Sequence, residues 1–192
     1  MNFATIKKFD VANGPGVRVS LFVSGCNHRC KGCFNAEAWD FDYGEKYTDK
    51  TEEEILAALD HGFISGLSLL GGEPFDPKNQ PCVASLLKKV KERYPQKDVW
   101  CYTGYTFDNV LVKGGAAYTE YTVGMVSRID VRVDGTFAVA LTDIKLRFRG
   151  SSNQRIIDVK RSLEEGRVRL WLDGGIGGSY YTDEDLAKGK KV

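Results

Sequence analysis

The sequence lacks the features that would place the protein in a membrane or on nucleic acid. Its formal net charge is only +1 at pH 7, which gives no electrostatic reason to expect binding to nucleic acid or to an anionic membrane. No apolar run approaches the roughly 20 residues that a transmembrane helix requires. The first residues also lack the apolar core and the cleavage pattern of a signal peptide.

Cysteine and histidine are scarce, with five cysteines and two histidines in 192 residues. An odd number of cysteines in a chain of this length does not fit a disulfide-stapled secreted scaffold. Free cysteines without an export signal instead predict a cytoplasmic protein. The length suits a single domain over residues 1–192, and the Gly-rich, charged stretch at about 174–192 is expected to be a loosely ordered tail.

Three of the cysteines stand within eight residues, as Cys26, Cys30 and Cys33 in the pattern C-x3-C-x2-C. Iron–sulfur clusters are usually held by four cysteine thiolates. Three thiolates leave one iron without a protein ligand, and that iron can bind a substrate or a cofactor. The spacing therefore favours a catalytic cluster over one that only stores electrons.

Zinc is the main alternative, because closely spaced cysteines often form tetrahedral structural sites. A fourth ligand is hard to find. His28 lies between two of the cysteines and would form an awkward chelate, so we expect it to be an exposed loop residue; His61 is the other histidine. Cys82 and Cys101 are isolated and are expected to be small buried residues. On spacing alone, both metals stay open.

Apolar periodicity predicts strands that alternate with helices. Strands are predicted at residues 17–23, 66–70, 98–103 and 129–133. One helix is predicted behind a capping box at residues 51–54, with Ile55, Leu56, Leu59 and Phe63 buried, and another over residues 83–94. This order is typical of βαβ units and a mainly parallel sheet. A full barrel takes about 250 residues, so we expect an α/β fold of the incomplete, open TIM-type β/α barrel kind.

Four loops with unusual sequences each follow a predicted strand, namely residues 26–33, 71–74, 103–104 and 134–135. In a parallel barrel or an open α/β sheet, the loops after the strands gather at one face, where the active site lies. The four loops are therefore predicted to form one site.

These loops and two further motifs resemble a known family. Residues 13–16 read Asn-Gly-Pro-Gly, residues 71–74 read Gly-Gly-Glu-Pro, and residues 149–154 read Arg-Gly-Ser-Ser-Asn-Gln. With the cysteine loop, they resemble the radical S-adenosylmethionine (SAM) superfamily and, within it, the activating proteins of anaerobic (class III) ribonucleoside-triphosphate reductase. The resemblance extends from about residue 10 to residue 158.

The resemblance implies cofactors, a reaction and partners. Cys26, Cys30 and Cys33 would hold a [4Fe–4S] cluster, and its fourth iron would bind the methionine end of SAM. Reductive cleavage of SAM would give a 5′-deoxyadenosyl radical, which would generate a glycyl radical on the anaerobic reductase. The implied partners are the glycyl-radical subunit of that reductase and a flavodoxin- or ferredoxin-type electron donor. The cofactors would supply the radical chemistry and the protein the binding and orientation.

The resemblance also implies which residues contact SAM. They are Gly32, Cys33, Phe34, Gly71, Gly72, Glu73, Pro74, Thr103, Asp134 and Gly135. Glu73 would help to hold the ammonium group of SAM, and Phe34 would lie near the adenine, although it could equally be a core aromatic. Asp134 could equally be a turn residue that bonds its own backbone. Residues 149–155 could bind the SAM carboxylate, dock the partner or cap a strand.

Three other functions fit parts of the pattern. A radical SAM enzyme that acts on a small molecule usually needs further binding elements, for which this chain has little sequence. An activase of the pyruvate formate-lyase type is generally longer and lacks the motif at residues 149–154. A zinc-stabilised interaction module without catalysis would account for the cysteines alone.

Overall fold

The computed structural model describes residues 1–171, so the predicted tail at about 174–192 lies outside the described residues. The chain forms a sheet of seven strands, flanked by helices. The strands are β1 (Asn2–Asp10), β2 (Val17–Val23), β3 (Glu45–Lys46), β4 (Ile64–Gly71), β5 (Asp98–Thr103), β6 (Val131–Asp134) and β7 (Arg155–Asp158). The α-helices are α1 (Asp49–Leu59), α2 (Gln80–Arg93), α3 (Phe107–Val110), α4 (Thr122–Val126) and α5 (Val159–Glu165). Short 3₁₀ helices cover Ala36–Trp39 and Val139–Leu141.

The centre of the sheet is parallel and its margins are antiparallel. The strand order is β3-β1-β2-β4-β5-β6-β7, in which β2, β4, β5 and β6 run parallel to one another. Strand β1 pairs antiparallel with β2 and β3, and β7 pairs antiparallel with β6. The structure therefore confirms an α/β fold with a largely parallel, open sheet. In residues 1–171, no helix is long and apolar enough to span a membrane.

Two details of the sequence prediction are wrong. The helix α1 begins earlier than predicted, because Thr48 is its N-cap and Thr51 is the third helical residue of the capping box. The side chains of Thr48 and Thr51 each accept a hydrogen bond from the backbone of the other. Phe63 is 60% exposed instead of buried, and its ring stacks on Phe9 with centroids 5.9 Å apart.

The main hydrophobic core lies between the sheet and the helices α1 and α2. The strands contribute Val19, Leu21, Leu67, Leu69, Val99 and Cys101, and the helices contribute Ile55, Leu56, Leu59, Val83, Leu86, Leu87 and Val90. Helical residues at this spacing form one apolar face, which explains why both helices pack on the sheet. The core therefore leaves the other face of the sheet to other contacts.

That other face buries a charged network. The side chain of Arg18 is fully buried, and its guanidinium donates to the hydroxyl of Ser68 at 2.7 Å and pairs with Asp98 at 2.7 Å. The Ser68 hydroxyl in turn donates to the backbone carbonyl of Asn13 at 2.6 Å. The network therefore fixes the Asn-Gly-Pro-Gly segment of residues 13–16 against β4.

We predict that Arg18→Met destabilises the protein by about 3 kcal/mol, because it leaves buried acceptors without a donor. Chemical denaturation of the purified chain measures this. The matched control is Lys8→Met, which removes an ion pair to Glu54 between side chains that are about half exposed. That change should cost less than about 1 kcal/mol. Equal losses for the two variants would contradict a structural role for the buried network.

Candidate functional site

A cavity of about 490 Å³ opens at the carboxyl ends of the parallel strands. This volume lies within the range of about 300–1,000 Å³ that is typical of small-molecule and cofactor sites. All three cysteines of the cysteine loop line it. Of the residues that the sequence assigned to SAM, the cavity wall contains Cys33, Phe34, Gly71, Gly72, Glu73, Thr103 and Gly135. The structure thus brings the four strand-following loops to one place.

The sheet contributes three residues to the cavity wall. Phe22, Leu70 and Tyr102 come from three neighbouring parallel strands. In the sheet register, Phe22 lies beside Leu70, so these side chains project from the same face. The ammonium group of Lys7, which also lines the cavity, lies 5.1 Å from the centroid of the Phe22 ring. Burial raises the pKa of the Tyr102 phenol and keeps it neutral.

The carboxylate of Glu73 is buried and connects three loops. One oxygen accepts hydrogen bonds from the backbone N–H of Phe75 at 2.8 Å and from the hydroxyl of Thr103 at 2.7 Å. The other accepts from the backbone N–H of Gly104 at 2.8 Å and lies 3.0 Å from Nε2 of His28. A buried carboxylate requires such partners, because an unpaired buried charge is very unfavourable. Both oxygens of Glu73 are therefore already engaged within the protein.

His28 joins the cysteine loop to this carboxylate. The prediction that it is an exposed loop residue is wrong, since its side chain is only 16% exposed. The ring packs against Tyr105, with centroids 4.4 Å apart, and the close approach of the Glu73 carboxylate raises the pKa of the imidazole. Nearby, the side chain of Asn27 donates to Asp76 at 2.8 Å. These contacts hold the cysteine loop against the loop that follows β4.

Gly71 and Gly72 allow two loops to pack backbone against backbone. Gly71 has a φ of +103°, a backbone angle that residues with a side chain rarely adopt. A Cβ on Gly72 would lie 2.6 Å from the carbonyl oxygen of Gly25. The N–H of Glu73 donates to that same carbonyl at 2.8 Å. Because Gly71 and Gly72 have no side chains, the loop after β4 can pack directly on the backbone of the cysteine loop. Both glycines also line the cavity.

The three cysteines are partly buried, and the structure contains all five cysteines as free thiols. A backbone hydrogen bond of 3.1 Å from Cys33 to Cys30 closes a turn between them. Burial raises the pKa of the Cys26 thiol to about 11, so a metal ion bound to this sulfur would have to displace its proton. Within residues 1–171, no three His, Cys, Asp or Glu side chains are grouped so as to hold a single metal ion.

Three of the predicted SAM residues do not line the cavity, namely Gly32, Pro74 and Asp134. The buried carboxylate of Asp134 accepts hydrogen bonds from the guanidinium of Arg155 at 2.7 and 2.8 Å and from the backbone of Phe107. The structure thus gives Asp134 a partner on the antiparallel strand β7, while its neighbour Gly135 reaches the cavity.

The sequence did not identify several residues of the cavity wall. They are Lys7, Ala12, Phe22, Trp39, Leu70, Tyr102, Phe137, Leu146 and Phe148. The motif at residues 149–154, whose role the sequence left open, contributes Arg149, Gly150 and Gln154 to the wall. The Gln154 side chain accepts from the N–H of Gly150 at 2.8 Å and donates to the carbonyl of Gly135 at 3.1 Å. The motif at residues 149–154 indicated a functional segment before the structure was known. Most of the nine other residues belong to no sequence motif that would have marked them as part of a site.

We predict that His28→Ala loosens the cysteine loop, because it removes a buried contact to Glu73. Amide hydrogen exchange in residues 26–33 and at Gly104 should become about tenfold faster, which corresponds to about 1.4 kcal/mol. His28→Gln keeps a donor and should restore part of the protection. His61→Ala, at the exposed second histidine, is the control. Unchanged exchange in His28→Ala would show that the contact does not hold the loop.

Comparison with known proteins identifies the family of the chain. A family model described as a 4Fe-4S single cluster domain matches residues 12–157. The anaerobic ribonucleoside-triphosphate reductase-activating protein of Vibrio cholerae is 42% identical over 158 residues, which cover 81% of this chain and 97% of the relative. The protein of the same name from phage T4 is 39% identical over 156 residues, 81% of this chain and 93% of the relative. That of Escherichia coli (strain K12) is 40% identical over 156 residues, 80% of this chain and 96% of the relative. The chain therefore belongs to the family of anaerobic ribonucleoside-triphosphate reductase-activating proteins.

Proposed function

We propose that this protein uses a [4Fe–4S] cluster and SAM to generate a glycyl radical on anaerobic ribonucleoside-triphosphate reductase. The observation that carries the proposal is the single cavity that Cys26, Cys30 and Cys33 share with Gly71 and Gly72. The match to a 4Fe-4S single cluster domain supports iron–sulfur over zinc. Relatives at about 40% identity that are named for this reductase favour it over pyruvate formate-lyase as the partner.

The three cysteines would hold the cluster and leave one iron for the methionine end of SAM. With one electron from a donor protein, the bound cofactors would supply the radical chemistry for removing a hydrogen atom from a glycine Cα of the reductase. Gly71, Gly72 and Gly135 would present backbone to SAM without steric hindrance, because they lie on the cavity wall and have no side chain. Phe34, which also lines the cavity, would contact the adenine beside Cys33.

Glu73 and Thr103 would act by placing the loops. Both oxygens of Glu73 are occupied by protein groups, and the hydroxyl of Thr103 is one of their donors. We therefore propose that Glu73 keeps the cysteine loop and the turn at Gly104 at the correct distance. It would not contact the SAM ammonium group directly. The apolar side chains of Phe22 and Leu70 would shield part of the cavity from water.

We also propose that the open sheet is an incomplete β/α barrel of the radical SAM type. The four parallel strands and the cavity at their carboxyl ends support this, since barrel enzymes bind their ligands at that end. The reaction would take place in the cytoplasm, where thiols stay reduced and a flavodoxin- or ferredoxin-type protein could supply the electron.

Anaerobic incubation of the reconstituted protein with SAM, a reductant and the reductase tests the proposed function. Electron paramagnetic resonance should detect a glycyl radical on the reductase, and 5′-deoxyadenosine should form in proportion. The control leaves out SAM. Formation of 5′-deoxyadenosine without any glycyl radical would show that the reductase is not the substrate, and one tight zinc per chain without iron would contradict the enzyme altogether.

We predict that Cys26→Ala, Cys30→Ala and Cys33→Ala each abolish 5′-deoxyadenosine formation, because each removes a cluster ligand. Iron and sulfide analysis together with product chromatography measures the two effects. Cys82→Ala is the matched control, since Cys82 is also a partly buried free cysteine but does not line the cavity. It should keep both cluster and activity. Full cluster content in any of the first three variants would contradict the ligand assignment.

A further inference from the structure

Four exposed apolar side chains belong to two segments that line the cavity, at Phe34 and between Phe137 and Leu146. Phe34 is 76% exposed, Val139 52%, Leu141 46% and Ile144 98%. We call these four residues the mouth patch. Single exposed apolar residues are common on proteins, but contiguous apolar groups mark interaction sites. The exposure of Ile144 is the largest of any large apolar side chain that the structure describes.

The mouth patch is continuous with the wall of the cavity. The ring of Phe34 lies against that of Phe137, with centroids 5.2 Å apart, and both residues line the cavity. Val139 lies beside Gly32 of the cysteine loop, since a Cβ placed on Gly32 would be 3.2 Å from its Cγ2. The patch thus extends from Phe34 to Val139. Leu146, two residues beyond Ile144, is again part of the cavity wall. A molecule that covers the patch therefore also covers the entrance.

Hydrogen bonds hold the segment that carries the patch. Ile144 lies in a turn in which Asp143 accepts from the N–H of Lys145 at 2.8 Å and from the N–H of Leu146 at 3.1 Å. The carbonyl of Leu141 accepts from the N–H of Ser152 at 2.9 Å. The turn thus presents an isoleucine to solvent in a defined position, although it gains no burial within the chain.

The segment that carries Ile144 also contributes to the edge of the cavity. The guanidinium of Arg147 lies over the ring of Phe148, 4.8 Å from its centroid, and Phe148 lines the cavity. Residues 143–149 therefore connect the exposed isoleucine to the cavity wall.

We propose that the mouth patch is the surface on which the reductase docks when its glycine enters the cavity. This inference rests on the proposed function. Hydrogen-atom removal requires the glycine Cα to reach the cavity, so the protein that carries it must approach the wall formed by Phe34, Phe137 and Leu146, whose segments carry the mouth patch. An electron donor has no such need, because it can deliver an electron without entering the cavity.

Ile144→Asp and Leu141→Asp test the proposal, because each places a charge in the mouth patch without disturbing the core. Surface plasmon resonance under anaerobic conditions, with the reconstituted protein and the reductase, should give an affinity that is at least about tenfold weaker. Iron content, unfolding midpoint and reductase-independent 5′-deoxyadenosine formation should match the unchanged protein. The matched control is Phe63→Asp, a 60% exposed aromatic that precedes β4 at the opposite end of the sheet.

The possible outcomes separate the docking surface from the function. Unchanged reductase affinity in both mouth variants would overturn the docking surface, while a glycyl radical made by the unchanged protein would leave the function intact. Loss of self-association in the variants, measured by sedimentation without the reductase, together with unchanged reductase affinity would assign the patch to a second copy and also overturn the proposal. Failure of the unchanged protein to form any glycyl radical would refute the function itself.

Discussion

The buried carboxylate of Glu73 holds together the loops on which the cavity depends. It receives hydrogen bonds from its own loop at Phe75 and from the end of β5 at Thr103 and Gly104, and it contacts His28 of the cysteine loop. A buried charge in this position requires such partners. Together with the backbone contact of Glu73 to Gly25 and the hydrogen bond from Asn27 to Asp76, this carboxylate fixes the cysteine loop relative to the loop after β4.

The two faces of the sheet have different tasks. The helix-facing side supplies the apolar core that stabilises the domain. The opposite side buries Arg18 and its partners at the amino end of the strands and carries the cavity at the carboxyl end. The loops that follow the parallel strands all lie at the same end of the sheet. Short loops are therefore sufficient to form a site there. The result is a cavity with an open, apolar mouth, which suits a substrate that is itself part of a protein.

Local sequence patterns predicted the central strands, the two long helices and the loops that form the site. These features follow from periodicity and from cysteine and glycine motifs, which are local properties. The antiparallel strands β1 and β7 were not predicted, because burial along β1 does not alternate and β7 has only four residues. His28 and Asp134 were misjudged or left open because their partners Glu73 and Arg155 are distant in sequence. Residues 138–148 have no regular apolar period, and the sequence gave no indication that they lie beside the cavity.

The central claim is that three cysteines leave one iron of a cluster free for SAM. Electron–nuclear double resonance of the reduced, reconstituted protein with SAM labelled by ¹⁵N and ¹⁷O at its methionine end tests it most directly. We expect hyperfine couplings from the labelled amino nitrogen and the labelled carboxylate oxygen, which require direct bonds to iron. A fully ligated cluster with no coupling to either label, at SAM concentrations that saturate the protein, would contradict the account.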